Sequence, residues 1–268
     1  MTMPRIQVND IAIYYELHGM GFPLLLIAGL GADHTSWDDN LIRELASNFQ
    51  TILIDNRGAG GTDNPEGSFT INYFAADAAS LLNKLGISRA YVLGHSMGGY
   101  IAQQLAIDHP EMVAKLILCS TTCGAKHSIA GPEHATQGVL DRAYGRLTDD
   151  QIIEMRVKHN FTEEFQRANP DAIQRFRRMA AKNMVPPEVY GRQLKAMVEF
   201  DSFPYLQNLR MPTLVLHGKK DTSPLPENAE ILAKNIPGAK LAYFNESAHA
   251  LYTPEPEDFI KILLDFLL

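Results

Sequence analysis

Three residues of this chain have the types and order to act together in chemistry: Ser96, a late aspartate at Asp221 and a later histidine at His249. Serine is a poor nucleophile at neutral pH, so Ser96 needs a neighbouring base. That base needs a third group to hold its tautomer and to stabilise the imidazolium that forms. The chemistry such a set performs is attack on an acyl carbonyl.

Ser96 sits in Tyr91-Val92-Leu93-Gly94-His95-Ser96-Met97-Gly98-Gly99-Tyr100. Ala90 to Leu93 read as a buried strand, and Tyr100, Ile101, Gln103, Gln104, Leu105 and Ala106 as a helix running up to Pro110. A serine on the tight turn between them has its Oγ exposed above the sheet, and the glycines let strand and helix backbones approach. This is the setting of a nucleophile elbow.

Asp221 directly follows the apolar run Thr213 to His217, and His249 follows Leu241 to Phe244. Loops at the carboxyl ends of parallel strands gather into a site, so both residues are directed towards Ser96. The plainer alternatives are a surface-turn acid beside Lys219 and Lys220, and a capping or partly buried histidine. Of the other histidines, His18 and His109 lie in surface-looking turns and His95 in the elbow itself. His127, His134 and His159 fall in a helical stretch where coordination or proton shuttling is the functional reading and a solvated face the plain one, and His217 ends a strand, where packing or a supporting hydrogen bond is the simplest reading. A tetrahedral intermediate also needs two backbone N–H donors. The amides of Met97 and Leu30 are the candidates, Leu30 lying between Gly29 and Gly31 in a loop that runs on to Trp37.

The elements that must position these residues alternate. Ile11, Ile13, Tyr15 and Leu17 alternate with polar or small neighbours, which predicts a half-exposed edge strand. Leu24–Ala28, Thr51–Ile54, Ala90–Leu93, Lys115–Cys119 and Thr213–His217 are continuous apolar runs, which predict strands buried on both faces. Helical patterns cover Leu41–Phe49, Ile71–Leu85, Tyr100–Asp108, Glu227–Asn235 and Glu257–Leu268. Regular alternation predicts an α/β fold with a mostly parallel sheet covered on both sides. From about Lys126 to Tyr205 the rhythm breaks into helices punctuated by Gly131, Pro132, Gly145, Pro170, Pro186, Pro187 and Pro204, which predicts an inserted helical cap.

With 268 residues, 46% of them hydrophobic and 21% charged, the chain has an ordinary globular composition. A net charge of -7 leaves no basic field for a nucleic-acid partner. Two cysteines, Cys119 and Cys123, are too few for a disulfide framework or a structural zinc site. The N-terminal stretch lacks a secretory apolar core, so the expected compartment is cytoplasmic with reduced thiols. No apolar run approaches the roughly 20 residues of a membrane helix, so no membrane partner is expected.

Taken together, the chain resembles the α/β-hydrolase superfamily from Gln7 to Leu268, the cap sequence excepted. Besides the elbow, Asp55-Asn56-Arg57-Gly58-Ala59-Gly60-Gly61-Thr62 matches the Asp-x-Arg-Gly-x-Gly-x-Ser/Thr turn of many members, and Gly218-x-x-Asp221 with His249 completes the pattern. Ala28 stands where that family commonly has a histidine, and Ala248 where it commonly has a glycine. Leu30-Gly31-Ala32-Asp33 with Trp37-Asp38 is similar to the 3-oxoadipate enol-lactonases, small carboxylesterases and cofactor-free haloperoxidases.

The resemblance implies an α/β-hydrolase fold with a mostly parallel eight-stranded sheet flanked by helices, a core of residues 1–125 and 206–268, and a cap of residues 126–205. It implies hydrolysis of a small carboxylic ester, lactone or thioester through an acyl-enzyme, with no metal or cofactor. A serine at position 96 sets aside the relatives that use an aspartate nucleophile. Perhydrolysis or carbon–carbon bond hydrolysis by the same triad, and a non-enzymatic role in binding a small molecule, stay open, as does monomer against homodimer. Candidate substrate contacts are Trp37 and His95 beside the catalytic loops and Phe161, Phe165 and Arg142 in the cap. Arg142, Arg146, Arg175, Arg177 and Arg178 could include a clamp for a substrate carboxylate, solvated helix faces being the plainer reading.

Overall fold

The structure is a computed structural model describing residues 4–268; the first three residues, and the side chains of His134 and Ala135, lie outside the described residues. The N-terminal stretch read for a secretory core and the reading of His134 therefore fall partly or wholly outside them.

Strands β1 (Arg5–Val8), β2 (Ile11–His18), β3 (Phe22–Ile27), β4 (Phe49–Ile54), β5 (Ala90–His95), β6 (Val113–Cys119), β7 (Thr213–Gly218) and β8 (Lys240–Phe244) form one sheet in the order β1-β2-β4-β3-β5-β6-β7-β8. β2 pairs antiparallel with β1 and β4, and every other pairing is parallel. Period-two alternation sends neighbouring side chains of the central strands to opposite faces. Leu25, Ile27, Val92 and Leu116 join one buried cluster, and Leu24, Leu26, Leu93 and Ile117 the other. Both faces are thus covered, which is why these strands read as unbroken apolar runs.

Helices α1 (Asp39–Ala46), α2 (Ile71–Lys84) and α3 (Met97–Asp108) precede five helices between β6 and β7: α4 (Glu133–Ala143), α5 (Asp149–Asn160), α6 (Glu163–Ala168), α7 (Pro170–Lys182) and α8 (Pro187–Glu199). Helices α9 (Glu227–Asn235) and α10 (Pro256–Leu267) complete the chain. Buried residues of α2, α3 and α9 pack on one face of the sheet and those of α1 and α10 on the other. In the helical segment, Thr148 and Gln151 form a reciprocal capping box at the start of α5, and Thr162 caps α6. Pro170 and Pro187 occupy first helical turns, where a missing N–H is tolerated. No helix among the described residues is long and apolar enough to cross a membrane.

Two expectations need correction. The helix expected over Leu41–Phe49 starts earlier and ends at Ala46, because Asp38 accepts from Asn40 N at its start and Phe49 is taken into β4, opposite Phe22. The alternating strand at Ile11–His18 is not an edge: it lies one strand inside it. Arg5–Val8 covers it as the true edge, short and exposed at Arg5 and Gln7, too brief and polar to show a pattern.

Candidate active site

β5 delivers Ser96 and α3 carries the chain away, and the turn between them leaves no room for side chains. A Cβ on Gly94 would meet the Gly98 carbonyl, and one on Gly98 would meet the Ile27 carbonyl of β3. Ser96 holds the strained pair φ 57 and ψ -120, which persists because its backbone is over-determined. Its N–H donates to Cys119 O at 2.9 Å, and its carbonyl accepts from Gly99 N and Thr121 Oγ1, each at 2.8 Å. Within Val92–Tyr100 it is the one residue that keeps appreciable exposure.

His249 Nδ1 lies 2.8 Å from Asp221 Oδ2. An ionised carboxylate only accepts, so Nδ1 carries a proton towards Asp221, and Nε2 is the ring nitrogen left to exchange one with Ser96. Both residues are buried. Burial alone would raise the Asp221 carboxyl, but the His249 charge and hydrogen bonds from His217 and His249 outweigh it and hold the group below the usual carboxylate range. Oδ1 of Asp221 accepts from Ser223 N at 2.9 Å, which fixes the carboxylate plane.

His249 is tied to the elbow through the residue before Ser96. His95 Nε2 lies 3.1 Å from the His249 carbonyl and must donate to it, and Ser120 Oγ donates to the same oxygen at 3.0 Å. The His95 and His249 rings are 4.7 Å apart, centre to centre. Ser96 Oγ and His249 are not themselves hydrogen-bonded in this structure, a gap that in free enzymes commonly closes on substrate binding.

The Leu30 loop faces the elbow: a Cβ on Gly29 would lie 3.0 Å from Ser96 Cβ and 3.5 Å from its Oγ. Among the described residues, neither the Leu30 amide nor the Met97 amide donates a backbone hydrogen bond. Support for the loop comes from two amides. Asn56 Nδ2 donates to Ala28 O at 3.0 Å, and Gln193 of α8 accepts from Gly31 N at 2.9 Å while donating to Arg57 O at 3.0 Å. The loop around Ala28 is thus tied from β4's loop and from the helical segment.

The Asp55–Thr62 turn braces this region from behind. Asp55 accepts from His34 N at 2.7 Å and Gly61 N at 2.8 Å, and Arg57 is held by Asp77 and Asp10. Asp33, His34 and Asp55 offer ligand atoms within 4.8 Å of one another. His34 Nδ1 is nevertheless committed to Asp55 Oδ1 at 2.8 Å and Asp33 Oδ1 to Thr35, so the set closes on itself by hydrogen bonds.

The expected substrate contacts fare differently. His95, expected to face a substrate, is buried with its Nε2 spent on the His249 carbonyl, and burial first, His249 second, pushes its pKa down to about 3. Phe161 is buried in a cluster with Val157, Ile173 and Ala250, its ring stacked on Phe165 at 5.3 Å. That makes it chiefly packing between α5 and the His249 loop. Trp37 lies 6.2 Å from the His95 ring and 5.5 Å from that of Tyr252, its indole nitrogen buried without a partner among the described residues. Arg142 is buried at 3% exposure, whereas Arg175 and Arg178 are exposed and Arg177 pairs with Glu154.

His159, expected on a solvated face, is instead turned inward, and other neighbours of the site left no mark in the sequence. His159 of α5 places its ring 4.1 Å from that of His249, and Asn160 O accepts from Ala250 N at 3.2 Å. Gln193 and Arg156 are likewise carried in by helices that fold back over the strand ends. His217 Nε2 lies 3.5 Å from Asp221 Oδ2 behind the pair. Two buried or half-buried rings, His95 and His159, thus enclose His249 from opposite elements.

With fold and geometry established, the class is plain: residues 23–256 match the alpha/beta hydrolase fold family, and the chain belongs to it. It is 29% identical to a protein of Azorhizobium caulinodans named carbamate hydrolase RutD, over 98% of each chain. It is 27% identical to one of Mycobacterium tuberculosis named non-heme bromoperoxidase BpoC, over 96% of this chain and 97% of the other. Among solved structures it is similar to the enol-lactonase of Burkholderia xenovorans, with a TM-score of 0.87 at 25% identity over 98% and 99% of the two chains. It is also similar to a thermophilic esterase of Thermogutta terrifontis, with a TM-score of 0.85 at 29% identity over 98% of each.

Proposed function

We propose that this protein is a serine hydrolase of small carboxylic esters or lactones. The observation that carries the reading is the hydrogen bond from His249 Nδ1 to the buried Asp221, set one His95 contact away from a strained, part-exposed Ser96. Ser96 Oγ attacks the acyl carbon while His249 Nε2 takes its proton. The carbonyl oxygen becomes an oxyanion, received by the amides of Leu30 and Met97. Collapse breaks the acyl–oxygen bond, and the proton on His249 passes to the leaving alkoxide, which departs as alcohol or, from a lactone, stays attached. Water then attacks the acyl-enzyme, gives its proton to His249, and the proton returns to Ser96 Oγ as the acid is released.

Helices of residues 126–205 serve in this reading as the cap that shapes the acyl site, supported by Gln193 and His159 reaching core loops. Wild-type enzyme is expected to form a covalent adduct with a fluorophosphonate probe, and Ser96→Ala to form none. Equal labelling of both would remove Ser96 from the role. The likeness to a protein named bromoperoxidase favours one second reading, peroxide replacing water at the acyl-enzyme to give a peracid. Peracetate formation from acetate and peroxide, measured beside ester hydrolysis, separates the two.

A further inference from the structure

Among the described residues three non-glycine residues hold a left-handed backbone: Asn9 in the turn between β1 and β2, Ser96 at the strand-to-helix turn, and Ser120 directly after β6. Asparagine visits that region readily, because its short amide bonds to nearby backbone. Ser120, at φ 47, has no such reason. Glycine would hold this φ without steric cost, so the strain at Ser120 accompanies a hydroxyl, and that hydroxyl is fully buried.

Ser120 Oγ donates to the His249 carbonyl at 3.0 Å, beside His95 Nε2 at 3.1 Å. Both chain neighbours of Ser120 bond to Ser96 instead. Cys119 O accepts from Ser96 N at 2.9 Å, and Thr121 Oγ1 donates to Ser96 O at 2.8 Å, so the two residues hold both polar groups of the Ser96 backbone. Ser120 N donates at 2.9 Å to Leu216 O of β7, the strand that runs on to Asp221. The segment is itself anchored on α3: Thr121 leaves no room for a Cβ on Gly99, and Gln103 Nε2 donates to Thr122 O at 2.9 Å.

Three consecutive residues after and at the end of β6 thus bond to the backbones of Ser96 and His249 and to the strand that delivers Asp221. We propose, resting on the serine-hydrolase reading above, that Ser120 is a positioning residue for the reaction. Its hydroxyl fixes the His249 carbonyl against a segment that also fixes Ser96, and so sets the gap that proton transfer between Ser96 Oγ and His249 Nε2 must cross. Ser120 touches neither substrate nor reacting atoms. It acts because the carbonyl and the imidazole belong to one residue, so a shift of the first carries the second, and small misplacements of a catalytic group cost large factors in rate.

Ser120→Gly separates positioning from stability. It relieves the left-handed strain and deletes the hydroxyl, so it should melt above Ser120→Ala yet lose kcat as that variant does, by about tenfold, with KM for 4-nitrophenyl acetate moving less than about twofold. Thr213→Val deletes another buried hydroxyl, bonded to Met211 O at the opposite end of β7, and should keep wild-type kcat. The low-field proton NMR signal of His249 Nδ1–H, bonded to Asp221, should broaden or shift in Ser120→Gly and stay unchanged in Thr213→Val. A Ser120→Gly enzyme with kcat within about twofold of wild type, or with activity that follows melting temperature across the Ala and Gly variants, overturns the positioning role and leaves the hydrolase reading standing. Absence of both ester turnover and fluorophosphonate labelling in wild type overturns the hydrolase reading instead. The NMR signal then decides the placing of His249 by itself: a change in Ser120→Gly supports it, and an unchanged line overturns it.

Discussion

His159 of α5 lies with its ring centre 4.1 Å from that of His249, so the proposed general base is packed by a residue from the helical segment as well as by His95 from the sheet. Burial first and the neighbouring His249 second push the His159 pKa down, keeping that ring neutral and able to sit against a ring that becomes an imidazolium during turnover. In the proposed mechanism His159 is thus a positioning residue. His159→Phe, which keeps a flat ring, should retain most of kcat, whereas His159→Ala should lose up to about 10²-fold, the scale of a misplaced catalytic group. Equal losses in both would assign His159 a role through its nitrogens rather than its packing.

Asp221→Asn should preserve the fold near neutral pH and reduce kcat by about 10⁴-fold, because an amide can hold the wrong tautomer of His249 and cannot stabilise its charge. The folded-state Asp221 carboxyl is held below its ordinary value of 3.8, so the stability it supplies is complete above that pH and is lost on further acidification. Urea midpoints measured at pH 7, 4 and 3 should therefore fall more steeply for wild type than for the variant.

His95 titrates in the same sense from a different cause. The unfolded chain takes up its proton near 6.5, while burial in the fold delays uptake to about 3. Stability should therefore decline as pH falls from about 6.5 towards 3, by up to about 1.4 kcal/mol per pH unit for this group. His95→Gln, which can still donate to the His249 carbonyl, should flatten the decline. A slope identical to wild type would place the proton uptake elsewhere.

Gln193 joins α8 to the Leu30 loop by accepting from Gly31 N and donating to Arg57 O. Gln193→Leu leaves both backbone groups buried and unpaired, so a loss of about 1–3 kcal/mol in stability is expected. Because Gly31 follows Leu30, kcat should fall as well, with KM for a neutral ester moving less. Hydrogen exchange at Gly31 gives the direct readout: protection there should drop in the variant.

Ser96, Asp221 and His249 were legible because the constraints on them are local. Gly94 and Gly98 are dictated by backbones in contact, and the acid and histidine sit at the ends of apolar strands whose burial on both faces shows in their composition. Asn56 and Gln193 show why the support of the Leu30 loop was not legible: they stand far from it in the chain, and only the folded path brings them to it. Helix α5 makes the same point, since its buried residues Ile152 and Val157 are too few to set an apolar stripe, leaving no pattern to say that His159 and Arg156 face inward. His95 misled for the opposite reason: adjacency to the serine suggested contact with substrate, whereas the pleat turns it into the interior towards His249.

The bond from Ala250 N to Asn160 O joins α5 to the chain one residue beyond the base. Its neighbour His159 rests on the His249 ring, so a single helix end grips the His249 loop twice. Any displacement of that helix end breaks both contacts together. The placing of His249 and the seating of α5 are thus a single constraint, in which neither end can shift while the other stays as it is.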